Sequence, residues 1–129
     1  MRPIKIKIIA YINGKIALKR EEPRRFGLLS TKVTDDDPLS SAQQMLRKHF
    51  QVKVDLNDLQ TIGNEETNEG ILQLIHYDVP MGVYLKSLQK GQQWEHHTNL
   101  YQRMKQDKCD FTFQNDSRQV AKTLFSWQK

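Results

Sequence analysis

Asn13-Gly14 constrains this chain more than any other dipeptide in it, because it sits between two extended-looking runs. Both residues tolerate positive φ, as the type I′ turn requires, and that turn matches the right-handed twist of the two antiparallel strands it joins. Upstream, Ile4, Ile6 and Ile8 alternate with Lys5 and Lys7, then Ile9 and Tyr11 add apolar character; this predicts a strand over 4–12. Lys15 to Arg20 is the expected return strand. Glu21-Glu22-Pro23-Arg24-Arg25 is polar and holds a proline, so an exposed connection is expected before the short apolar piece Phe26-Gly27-Leu28-Leu29. A hairpin at the N-terminus commits the chain to a sheet.

What packs on that sheet is announced by Asp35-Asp36-Asp37-Pro38. An aspartate serves as N-cap and proline takes the first helical position, where its missing N–H costs nothing. Leu39, Ala42, Leu46 and Phe50, with Met45 beside them, form an apolar stripe to about Phe50, and Arg47 and Lys48 suit the negative end of the helix dipole. Short strands are expected at Val52–Val54 and Leu59–Gly63, a polar loop over 65–70, and a long strand from Ile71 to Val79 that ends at Pro80. The stretch 81–93 reads either as a strand or as a helical turn followed by a loop around Gly91. Thr98–Asp107 is expected to be helical with Leu100, Tyr101 and Met104 inward. Asp116 is expected to cap a last helix bearing Val120, Ala121, Leu124, Phe125 and Trp127. The fold class is therefore α/β, a mixed sheet between helices, in a single domain spanning 1–129. At 129 residues one core is the natural expectation.

No apolar stretch approaches the roughly 20 residues that cross a bilayer, and the N-terminus alternates where a secretory segment would be continuously apolar. No membrane contact and a cytoplasmic location are expected. The single cysteine, Cys109, forms no internal disulfide and reads as a structural thiol. Charge is uneven: residues 1–53 hold twelve Lys/Arg against five Asp/Glu, a net +7, while 54–129 hold eight against ten, a net −2. A basic half can meet an anion, whether a nucleotide, RNA or the acidic face of a protein.

The order of hairpin, polar loop, short apolar strand, acidic turn, helix, strands and C-terminal helices resembles the Nudix family over most of the chain. Leu18-Lys19-Arg20 looks like the apolar-x-Arg end of that family's second strand. Phe26-Gly27-Leu28-Leu29 sits where the family has aromatic-x-Leu before a Gly-Gly, and Lys32-Val33 resembles the Lys-Val after those glycines. Pro38, Ala42, Leu46 and Val52 fall in the helix register of the box G-x5-E-x7-R-E-U-x-E-E-x-G-U. The resemblance implies a Nudix-like α/β/α sandwich. It also shows what is missing: the box's R-E-U-x-E-E segment gathers divalent cations that bridge a diphosphate and activate water. Here the Arg-Glu pair becomes Gln44-Met45 and the Glu-Glu pair Lys48-His49, the Gly-Gly becomes Ser30-Thr31, and the closing Gly becomes Gln51. A lysine where a cation should sit adds Coulombic repulsion to the lost ligands.

Asp35, Asp36 and Asp37 offer a stand-in for the acid that opens the box, but they also cap a helix, which needs no other oxygen nearby. Glu65, Glu66, Glu69 and Glu95 are the remaining acids from which a relocated Mg²⁺ or Mn²⁺ site would have to be built. The histidines, His49, His76, His96 and His97, lack H-x-x-x-H spacing and any cysteine pair, so zinc is not indicated; His96-His97 is expected to end a surface loop. All six glycines are solitary, which suits turns and not a phosphate loop. Nucleic acid would need basic residues interleaved with exposed aromatics, and Lys5, Lys7, Tyr11, Lys19, Arg20, Arg24, Arg25, Phe26, Arg47 and Lys48 are the pieces available. The simpler expectation places Tyr11 and Phe26 in the core and the cations in solvent. Trp94 and Trp127 are expected to be packing residues.

Three functions follow from the resemblance and its defects. One is a non-catalytic binding or regulatory module, a pseudoenzyme with no cofactor, holding a nucleotide-like anion or a protein partner in a cleft lined by Arg20, Arg24, Arg25, Phe26, Lys32 and Lys48. The second is a divergent hydrolase of a nucleoside diphosphate derivative with relocated acids and a divalent metal. The third is an RNA-binding or assembly scaffold.

Overall fold

In the computed structural model, residues 4–22, 25–33, 37–67 and 70–105 are described. They form six strands, β1 (Ile4–Ile12), β2 (Lys15–Glu22), β3 (Arg25–Lys32), β4 (Leu59–Thr67), β5 (Gly70–Asp78) and β6 (Gln93–His96). Three helices accompany them, α1 (Pro38–Phe50), α2 (Met81–Gln89) and α3 (His97–Lys105). The strands lie in one mixed sheet in the order β4-β5-β1-β3-β2-β6, with β1 and β5 parallel and the remaining pairs antiparallel. The α/β fold with a mixed sheet is as expected.

Asn13 and Gly14 take φ 49° and 81°, the paired positive values of the hairpin turn, and place Ile12 opposite Lys15. Ile6, Ile8 and Ala10 of β1, Leu29 of β3, and Ile75 and Tyr77 of β5 share one sheet face. There they pack with Ala42, Leu46 and Phe50 of α1, while Val83 and Tyr84 of α2 close the margin. Alternate residues Ile9, Ile16, Leu18, Leu28, Leu72 and Leu74 are buried on the other face. Leu100 of α3 is fully buried, and α3 begins with His97 beside Tyr11, ring centroids 6.4 Å apart. Lys7 belongs to this second face and is only 2% exposed, a correction to its expected solvent-facing role. Because β1 is the middle of the sheet, both of its faces are covered, and the alternation of Ile with Lys does not mark a wet side.

Several boundaries differ from those expected. β2 runs on through Glu22 and β3 starts at Arg25, so Glu21, Glu22 and Arg25 belong to strands and not to the expected 21–25 connection. Val52–Val54 is not a strand: Val54 is buried, and its carbonyl accepts from Gln43 Nε2 (2.7 Å) and Arg47 Nη2 (3.4 Å) of α1 instead of joining a ladder. β4 extends to Thr67 through the expected polar loop, since the strand is at the sheet edge, where polar side chains reach water. A register shift between Thr61 and Gly63 breaks its alternation. Residues 81–89 are helical: Val83 and Tyr84 turn inward, while Met81, Leu85 and Leu88 are 49%, 52% and 46% exposed, so apolar residues on both sides hide the helical period. His96 belongs to β6 and His97 opens α3, not a surface loop. The expected final helix, Cys109 and Trp127 lie outside the described residues. Among the described residues no helix is long and apolar enough to cross a membrane.

Candidate functional site

α1 is fixed at both ends by its own sequence. Asp37 Oδ1 accepts from the Leu39 amide at 3.1 Å and Oδ2 from the Ser40 hydroxyl at 2.9 Å, and Pro38 follows at the first position. This satisfies an orphan donor of the first turn. At the far end Gln51 adopts the left-handed conformation, φ 56°, which terminates the helix where the family resemblance has glycine. With Ala42, Leu46 and Phe50 turned to the sheet, the i, i+3, i+4, i+7 set Ser41, Gln44, Met45 and Lys48 occupies an adjoining face.

That face and the end of β3 enclose a groove of about 550 Å³ lined by Thr31, Lys32, Ser41, Gln44, Met45, Arg47 and Lys48. Three of these seven are cations and none is a carboxylate. Lys32, Arg47 and Lys48 are exposed at the rim, whereas Ser41 is 6% exposed. Its Oγ has no hydrogen-bond partner among the described residues. Thr31 Oγ1 makes a long 3.4 Å contact to the Lys32 carbonyl. Such a donor set suits an anion: lysine and arginine N–H groups and hydroxyls all donate, and charge-assisted bonds are about twice as strong as neutral ones. It does not suit Mg²⁺ or Mn²⁺, which take hard oxygen ligands, chiefly carboxylates. A divalent ion here would meet amide, thioether and hydroxyl groups under three positive charges.

Of the positions that depart from the family box, Gln44, Met45 and Lys48 line the groove, but His49 does not. His49 lies edge-on to Phe50 at 4.8 Å, its carbonyl accepts from Gln92 Nε2 at 2.9 Å, and its Nε2 is buried without a partner. Burial pushes its pKa below 6.5, and the nearby Lys19 ammonium pushes the same way. Lys32 and Lys48 both line the groove. Arg20, Arg25 and Phe26 sit where β2 and β3 meet at Arg20 opposite Phe26. Arg25 and Lys32 are the first and last residues of the eight-residue β3, roughly 23 Å apart along an extended strand. Arg24 lies outside the described residues. Thr31, Ser41 and Arg47 complete the groove. Arg47 was legible as a helix-end cation, while for the two hydroxyls the signal was helical spacing from Lys48 and adjacency to Lys32.

Among the described residues the acids do not gather. Asp37 is occupied by the cap. Glu95 Oε1, on β6, accepts from the His96 amide (3.1 Å) and Asn99 Nδ2 (2.8 Å), bracing the entry into α3. Glu65 and Glu66 belong to β4, at the opposite edge of the sheet. Five strand spacings divide the two edges, about 24 Å, so Glu95 and β4 do not share one ion. Among the described residues no three His, Cys, Asp or Glu side chains form a metal-holding group. Asp35, Asp36 and Glu69 lie outside them.

No family model matches the chain, and no curated protein does. The fold is similar to the solution structure of the E. coli ORF135 protein, with 13% identity, 98% of this chain and 89% of that one covered, and a TM-score of 0.51. At that identity the likeness is one of fold alone.

Proposed function

We propose that the chain is a Nudix-like domain that binds the phosphate-bearing part of a nucleotide-like anion in the groove between α1 and β3, without a divalent metal and without hydrolysing it. One observation carries this reading: Lys32, Arg47 and Lys48 line a groove that has no carboxylate among the described residues, where the family resemblance calls for glutamates. The net charge of +5 favours the approach of such a ligand over longer range. A cytoplasmic location, where nucleotides are abundant, fits this role. Calorimetric titration with ADP-ribose, nucleoside triphosphates and dinucleoside polyphosphates in EDTA tests it; absence of heat from every one would remove it.

A second reading, a protein-binding scaffold, is favoured by a different observation. Met81, Leu85 and Leu88 stand exposed at i, i+4 and i+7 on α2, the spacing of a helix–helix seam. Light scattering on the purified protein, alone and with a candidate partner, separates the two. Under the hydrolase reading, turnover of an ADP-linked substrate would depend on Mg²⁺ or Mn²⁺ and on the acids named above.

A further inference from the structure

Ser41 presents a cost without a visible return. It is buried to all but 6% in the second turn of α1, beside the equally buried Ala42. A buried helical serine ordinarily returns its hydroxyl to the carbonyl one turn back. Here the Asp37 carbonyl receives the Ser41 amide at 3.1 Å, and the Ser41 hydroxyl has no hydrogen bond among the described residues. Ser40, its neighbour, does find a partner, the Asp37 carboxylate. A buried donor left unmade is penalised in full, and alanine would fill the site with no such penalty.

The position explains the choice. Ser41 lines the groove together with Thr31, whose hydroxyl makes a long contact to its neighbour's carbonyl, and with the exposed cations Lys32, Arg47 and Lys48. We propose that Ser41 is a ligand-binding and specificity-determining residue of the groove, its hydroxyl donating to a phosphoryl oxygen that the cations hold. The ligand class is thereby narrowed to phosphate esters and anhydrides seated by their tetrahedral phosphoryl group, with Thr31 as the second hydroxyl donor. This rests on the anion-binding reading of the same groove. A phosphoryl group supplies several acceptor oxygens and no donor, so it complements two hydroxyls and a cationic rim together.

The test uses the full chain in EDTA, with inorganic pyrophosphate, ADP and adenosine as probes, and two measurements on Ser41→Ala. Calorimetry should show ADP and pyrophosphate binding weakened about tenfold, the effect of one charge-assisted hydrogen bond, with adenosine binding neither protein. Urea unfolding without ligand should show the variant at least as stable as the parent, because an unsatisfied hydroxyl has been removed. A variant that binds ADP as tightly as the parent overturns the role of Ser41 while leaving the groove's anion binding standing. Destabilisation of the ligand-free variant overturns it too, since the hydroxyl would then be paired in the empty protein. If the parent binds neither pyrophosphate nor ADP, or binds adenosine as well as ADP, the anion-binding reading falls and the inference falls with it.

Discussion

Replacing Asp37 with alanine separates a capping carboxylate from a metal ligand. The side chain makes two contacts, to the Leu39 amide and the Ser40 hydroxyl; losing them leaves one first-turn amide to water and frees Ser40. Asp37 itself is exposed, so water replaces part of what is lost, and the cost is that of an ordinary N-cap, about 1 kcal/mol within a range of roughly 0.5–2. With a urea m-value of about 1–3 kcal/mol/M, the unfolding midpoint should fall by roughly 0.5 M. Urea titration followed by circular dichroism reads this directly. Asp37→Asn and Asp37→Ser should recover most of the loss, because each keeps an acceptor for the Leu39 amide. The midpoints of parent and variants should shift alike when Mg²⁺ is exchanged for EDTA. A parent protein stabilised by Mg²⁺, with that increment abolished in Asp37→Ala and not restored by Asn, would refute the reasoning and make Asp37 a ligand.

Other consequences follow from the packing and the charges. His49 has its pKa depressed by burial, with Lys19 adding to it, so the unfolded chain binds its proton first. Its contribution is fully present above pH 6.5 and is lost as the pH falls towards the folded-state value. His49→Phe should flatten the decline in urea midpoint between about pH 7 and pH 5, and an unchanged profile would contradict this. Leu46→Ala removes a fully buried side chain where α1 meets the sheet and should cost about 3 kcal/mol by chemical denaturation. Gly14→Ala places a Cβ 2.7 Å from His96 Nε2 at a residue with φ +81°. It should lower the unfolding free energy by more than the roughly 1 kcal/mol of backbone strain alone, with faster exchange of the His97 amide that donates to Gly14 O. ADP affinity of the parent should fall as salt rises, since the cations Lys32, Arg47 and Lys48 are exposed, and a salt-independent affinity would argue for apolar binding.

The parts of the fold legible in the sequence are those that local chemistry decides. Asn13-Gly14 specified a turn whatever surrounds it, and Asp37-Pro38 with the stripe to Phe50 gave α1 at Pro38–Phe50. Where tertiary contacts decide, the sequence was ambiguous. Lys7 looked solvated because alternation implies a wet face, yet β1 has β3 and β5 on its flanks and packing on both faces. α2 stayed open between a strand and a helical turn because its exposed Met81, Leu85 and Leu88 blur its period. β4 was expected only as far as Gly63; its continuation to Thr67 reads as a polar loop because its residues are polar and lie at the sheet edge. At the candidate site, the shared helix face of Gln44, Met45 and Lys48, which carries no acid, was readable from spacing. The hydroxyls of Thr31 and Ser41 were not, since nothing in a sequence tells a buried unpaired serine from a solvated one.

A crystal of the protein soaked with ADP and MnCl₂, recorded at the manganese absorption edge, gives the most direct reading. The expected result is phosphate density against Lys32 and Lys48 with no anomalous peak on the Gln44–Met45–Lys48 face of α1. A manganese peak on that face, bridging the diphosphate to oxygen ligands of the protein, would contradict it.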